Sequence, residues 1–166
     1  MVTFEQFAQS RQRSLLRFGF ALTASRPDAE DLVQSALAKA YPRWHRIDDP
    51  DAYVKRSMVN ANINRARWGR RERLVPTPQR TDVGPNPDEG VVARDQMWTL
   101  LGELTARQRA VLVLRYMDDL SEAEAARVLG CSIGTVKSQT NKAITKLRRA
   151  YDAAEHDVQR LGGRHA

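Results

Sequence analysis

Cysteine occurs once in 166 residues, as Cys131, so no internal disulfide is possible and a reducing compartment suits the chain. Histidine occurs three times, as His45, His156 and His165, none with cysteine or carboxylate neighbours at metal-ligand spacing; each reads as a surface residue. No apolar run approaches the length of a membrane span, and the opening MVTFEQFAQSRQR lacks a signal peptide's apolar segment. These absences predict a soluble, cytoplasmic chain without membrane insertion. A phosphate-binding loop, a nucleophile elbow and a dinucleotide fingerprint are missing too. The expectation is therefore no catalytic residue, no metal, no cofactor and no enzyme activity. Strand alternation and internal repeats are equally missing, which leaves an all-α fold.

What the chain does carry is positive charge. Its net charge of +7 and pI near 10.1 call for an anionic partner, although ribosomal, membrane-surface and heparin-binding proteins share that balance. The composition breaks between Val75 and Pro87, where VPTPQRTDVGPNP has four prolines and almost nothing to bury. Two small helical bundles joined by a flexible linker are predicted: residues 1–74, a linker at 75–90, a second bundle at 91–152, and a tail at 153–166 with no assigned role.

Capping chemistry places the helices. Thr3 with Gln6 opens the first, whose apolar positions include Phe4, Phe7, Leu15, Phe18 and Leu22. Ser25 opens the second, with Pro27 in its first turn and Leu32, Ala36, Leu37, Ala40, Tyr41 and Trp44 as its inward stripe. The acids Asp28, Glu30 and Asp31 complement that helix's positive end. Asp49-Pro50 announces a third, with Tyr53, Val54, Met58 and Ala61 inward. Past the linker, a helix over Asp95 to Gly102 precedes one boxed by Thr105 and Gln108, with Val111, Leu112, Leu114, Tyr116 and Met117 on its apolar positions.

Leu120 to Arg149, LSEAEAARVLGCSIGTVKSQTNKAITKLRR, is the most informative stretch. Ser121 and Glu124 form a capping box, Ala125, Ala126 and Leu129 an apolar face, and Gly130 a turn. Ser132 caps the next helix, whose inward positions are Val136, Ala143, Ile144 and Leu147; Cys131 is expected to be buried between the two. This is the pattern of a helix-turn-helix, which offers its second helix to the DNA major groove. A second candidate surface is basic: Arg65, Arg67, Arg70, Arg71 and Arg73 surround Trp68, and Asn60, Asn62 and Asn64 precede them. Arginine forks pair with phosphates, an aromatic stacks on an unpaired base, and amides reach base edges. Roughly 16 extended linker residues reach about 50 Å. With two domain radii of roughly 12 Å, one molecule spans about two turns of B-DNA.

At these motifs the chain resembles a bacterial RNA polymerase sigma factor of the small extracytoplasmic-function (ECF) type, close to the actinobacterial SigE-like subgroup. DAEDLVQSALAKAY (28–41) is similar to the region-2 helix that docks on core polymerase. AYVKRSMVNANINRARWGRR (52–71) is similar to the segment that melts and reads the −10 element, and LTARQRAVLVLRYMDDLSEAEAARVLGCSIGTVKSQ (104–139) to region 4, which binds the −35 element and the polymerase flap. The resemblance implies core-polymerase contacts at Asp28, Asp31, Leu32 and Gln34. It implies −10 DNA contacts at Asn60, Asn64, Arg65 and Arg67, with Asn60 near the pocket for a flipped base. It implies −35 contacts at Thr135, Lys137, Ser138, Asn141 and Lys142. Region 3 and region 1.1 are expected to be absent, and the resemblance suggests an anti-sigma protein as a further partner. Gln139 and Lys142 stand where relatives commonly carry arginine, so the −35 sequence does not transfer from them. Three other readings remain: a dimeric regulator on a palindromic site, a partner-binding adaptor or anti-sigma protein, and a nucleic-acid enzyme.

Overall fold

The computed structural model describes the backbone of residues 1–72 and 91–162 and the side chains of 1–69 and 97–157. The side chains of Arg70, Arg71 and Asp95, and the whole of Arg73, the linker over 75–90 and His165, lie outside that set. All regular structure among the described residues is helical.

Three helices build the N-terminal half: α1 (Phe4–Thr23), α2 (Arg26–Ala40) and α3 (Pro50–Glu72). The first starts at the expected capping box, Gln6 donating its backbone N–H to Thr3 and returning its side-chain oxygen to the Thr3 N–H at 3.1 Å. It ends at Ala24, a non-glycine residue at φ +53°. Gly19 lets α2 approach closely: a Cβ there would lie 3.2 Å from the Ala29 carbonyl oxygen and 3.1 Å from Met58 Cε. Leu15, Leu22, Leu32, Val54, Met58 and Val59 are fully enclosed.

The stripe predicted for α2 breaks at Tyr41. From there the chain tightens into a 3₁₀ turn over Tyr41–Arg46, which changes the angular step per residue. Tyr41 consequently lies exposed, edge-on to Phe4 at 4.9 Å. Trp44 instead packs against Phe4 and Phe7 at 5.3 and 5.1 Å and donates its indole N–H to the Val2 carbonyl, fastening the start of the chain. Asp49 caps α3 as expected, accepting from the Ala52 N–H at 3.1 Å.

The C-terminal half holds α4 (Val91–Gly102), α5 (Ala106–Leu112), α6 (Glu122–Leu129) and α7 (Ile133–Gly162). After α5 the chain widens into a π-helical turn, Val113–Met117, closed by the Asp118 N–H on the Val113 carbonyl at 3.0 Å. The extra residue in that turn rotates the following side chains. Tyr116 and Met117, expected on the apolar face, are therefore exposed, while Val111, Val113 and Leu114 are buried.

The two halves share one core. A single apolar cluster runs from Phe7 through Val59 and on through Ala110 to Val136. α5 packs on both α1 and α3, and α6 touches α3. Phe20 of α1 meets Trp98 of α4 edge-on, centroids 4.2 Å apart.

Candidate nucleic-acid interface

The helix-turn-helix forms as its sequence chemistry dictates. Ser121 accepts from the Glu124 N–H at 3.2 Å, and Glu124 accepts from the Ser121 N–H at 2.8 Å; the Ser121 hydroxyl and backbone N–H beside it hold the Glu124 carboxyl below the usual range. Gly130 sits at φ +64° and ends α6. Ser132 then accepts from the Thr135 N–H at 3.1 Å and shares a hydroxyl contact with Thr135 at 2.9 Å. Val136 is buried in one cluster with Ala125, Ala126 and Leu129 of α6, Ala143 is buried further along α7, and Cys131 is half-buried at the edge of the core rather than enclosed.

That packing leaves the other side of α7 open. Lys137, Ser138, Asn141 and Lys142 are exposed and Thr135 is partly so, which brings all five predicted residues onto one accessible face. Lys137 leans toward Glu122 of α6 at 3.6 Å, an exposed pair of little strength. An open groove of about 460 Å³ continues the face, lined by Gln108, Asn141, Lys142, Thr145, Lys146 and Arg149. Sequence reasoning missed its last three residues. The signal was there: Ser138, Lys142, Thr145 and Arg149 recur at i, i+4, i+7 and i+11, one stripe of a helix.

On α3, Asn64, Arg65, Arg67 and Trp68 are exposed and Asn60 is partly exposed. Asn62 departs from its two neighbours. It is 7% exposed and donates its side-chain N–H to the Leu22 carbonyl at 3.1 Å, tying α3 to the last turn of α1. That buried amide is a fold residue, not a base reader.

The predicted docking residues divide in the same way. Asp28, Asp31 and Gln34 are exposed on α2, whereas Leu32 is 1% exposed and belongs to the core. The Leu32 side chain, expected among the docking residues, stands in the core cluster with residues of α1 and α3. Arg65 reaches across from α3 to both acids, Nη1 to Asp28 at 3.2 Å and Nη2 to Asp31 at 2.6 Å. No spacing or motif in the sequence pointed to this junction between two faces.

One cation lies deeper. Lys55 pairs with Asp51 at 2.8 Å and with Asp118 of the C-terminal half, and its ammonium stands 5.6 Å from the Phe18 ring centre. Burial pulls its pKa down, but the hydrogen bonds and charges of Asp118 and Asp51 outweigh it, and the net shift is upward. Burial alone lowers Arg109. Among the described residues no group of three His, Cys, Asp or Glu could hold a metal ion, and no helix is long and apolar enough to cross a membrane.

Two packed helical bundles, one carrying an open helix-turn-helix, form an architecture suited to binding DNA. The family model for Sigma-70 region 2 matches residues 7–72 and that for Sigma-70, region 4 matches 94–147. The RNA polymerase sigma-E factor of Streptomyces coelicolor is 38% identical, the match covering 97% of this chain and 93% of that one. The ECF RNA polymerase sigma factor SigM of Mycobacterium tuberculosis is 32% identical over 88% of this chain and 76% of its own. Among solved structures, the sigma factor RpoE in complex with the anti-sigma factor NepR from Bartonella quintana superposes with a TM-score of 0.72 at 25% identity, over 90% of this chain and 96% of that chain. The chain belongs to the bacterial RNA polymerase sigma factors, in the ECF group. It is a promoter-recognising factor for RNA polymerase.

Proposed function

We propose that this sigma factor docks on core RNA polymerase through the exposed acidic side of α2, with Asp28, Asp31 and Gln34 as contacts. Asn60, Asn64, Arg65 and Arg67 of α3 engage the −10 element, and Thr135, Lys137, Ser138, Asn141 and Lys142 of α7 read the −35 duplex. The observation that carries this reading is the α7 face: four exposed polar residues and the partly exposed Thr135 stand behind a capped turn, with a basic groove continuing the surface.

Each group suits its task. Asparagine pairs with adenine edges, and lysine serves guanine or phosphate. Amides and guanidinium forks on α3 fit an opened strand; extruding one base there costs a few kcal/mol, offset by stacking and edge hydrogen bonds. The protein makes and breaks no covalent bond, and the polymerase does the chemistry. It works in the cytoplasm as a non-enzymatic factor, built from a region-2 unit (1–74), a connecting segment (75–90) and a region-4 unit (91–152). An anti-sigma partner belongs to this reading, since the RpoE neighbour was solved with NepR.

Run-off transcription with purified bacterial core polymerase over a library of promoter fragments tests the proposal. Transcripts that require the protein and share two upstream elements are the expected result. Tight binding to duplex DNA alone, with no affinity for core, would replace it with an ordinary DNA-binding regulator.

A further inference from the structure

Arg65 joins two faces that the proposed function keeps apart. Its guanidinium fork grips Asp28 and Asp31 at once, at 3.2 and 2.6 Å, from a helix more than thirty residues further along the chain. All three side chains are close to half exposed, 46, 54 and 60%, so each is open to an incoming partner. The two acids are the docking carboxylates, and the arginine is one of the −10 residues. While they hold each other, the acids present little negative charge to a basic polymerase surface. The fork, likewise, is not aimed at phosphate.

From this geometry we infer that Arg65 is an exchange residue: in the free chain it covers Asp28 and Asp31, and a basic polymerase surface that takes those carboxylates releases its fork toward −10 DNA. The inference rests on the proposed docking role of the two acids. Exposed ion pairs are weak and exchange readily, which is what a transferable contact requires. Arginine can make the same bidentate bond to carboxylate and to phosphate, so nothing but the partner changes. Linkage makes the effect reciprocal: whatever occupies the acids favours DNA at Arg65, and DNA at Arg65 favours the docked acids.

The sign of one measurement separates exchange from bracing. An arginine that merely holds α2 against α3 would weaken core binding when removed. An exchange residue would strengthen it, because the acids lose a competitor. The full chain and its Arg65→Gln, Arg65→Lys, and Asp28→Asn with Asp31→Asn variants are titrated against purified core polymerase at about 0.05 M and about 0.5 M salt. Thermal melts check that each is folded. Arg65→Gln is expected to tighten core binding by about three- to tenfold at low salt and much less at high salt. The same variant opens promoter DNA less well once holoenzyme is saturated, and Arg65→Lys lies between it and the parent. Added to the double asparagine variant, Arg65→Gln changes core affinity no further. Unchanged or weaker core binding by Arg65→Gln overturns the inference and leaves Arg65 as a brace. If the double asparagine variant binds core as the parent does, the docking reading itself falls, and the inference with it.

Discussion

Lys55 illustrates how one side chain carries both stability and a pH signature. Its ammonium is mostly enclosed and shared by Asp51 of its own helix and Asp118 of the other half. Replacing it by methionine keeps the stem but leaves two carboxylates facing each other, and is expected to cost about 1–3 kcal/mol, since both acids retain some solvent. Burial lowers the Lys55 pKa, yet the two acids raise it further, so the folded value stands above the ordinary 10.5. The contribution is then fully present below the unfolded pKa and fades as pH rises through the folded one. Melting temperatures of the parent and Lys55→Met, compared from neutral pH upward, should differ by a constant amount until about pH 10 and converge above it. A gap that narrows already near neutrality would contradict the pairing. Ala24 offers the opposite case, a residue at odds with its backbone. It ends α1 at φ +53°, a conformation that penalises a Cβ. Ala24→Gly should therefore stabilise the chain by about 0.5–1 kcal/mol, read as a rise in urea midpoint at unchanged slope.

At the scale of helices, capping was the legible part. The boxes at Thr3, Thr105 and Ser121 all form, and Gly130 adopts the left-handed turn its position required. Inward stripes held wherever the helix stayed regular, and failed at Tyr41, Tyr116 and Met117, where the hydrogen-bond span shortens or lengthens by one residue. A fixed 100° step cannot register such a change; Pro42 announces the first, since proline ends a regular helix, whereas nothing in Val113–Met117 announces the second. Gly19 was also silent in the sequence, although α2 depends on it. Alanine gains about 1 kcal/mol of helix propensity there, but its methyl would press on the fixed Ala29 backbone at 3.2–3.3 Å. The clash should win, so Gly19→Ala is expected to lower stability by about 1–2 kcal/mol in the same urea titration. On α7 the groove beyond Lys142 carries its own expectation. Lys146→Ala or Arg149→Ala, in holoenzyme on promoter DNA, should reduce the slope of log K against log salt by about 0.9 for each phosphate left unneutralised. Base preference should stay as in the parent. Asn141→Ala should do the reverse, relaxing discrimination at one −35 position by about 1–3 kcal/mol.

For the whole molecule, the sequence separates what the fold joins. A proline-rich stretch between two capped helical patterns is good reason to expect two bundles, and two bundles form. Their mutual contact was not readable, because apolar positions on α1, α3 and α5 are accounted for equally well by packing within each bundle. Only the assembled chain reveals that Lys55 and Asp118, 63 residues apart, meet, and that Phe20 finds Trp98. The same silence hid the Arg65 junction, which links residues 34 and 37 positions apart. A shared core has a thermodynamic consequence. If one apolar cluster runs through both halves, neither can unfold without exposing part of the other, and the transition is a single cooperative one. Leu114, 1% exposed in the C-terminal half, tests this from one side. Leu114→Ala should cost about 2–5 kcal/mol through reduced burial and the cavity left behind. Calorimetry should show one peak in parent and variant, with calorimetric and van't Hoff enthalpies equal. Hydrogen exchange of amides in α1 and α2 should accelerate together with those in α5 and α6, although α1 and α2 contain no changed residue. Two resolved peaks, with only the second moved, would mean that the halves fold independently and that their contact contributes little to stability.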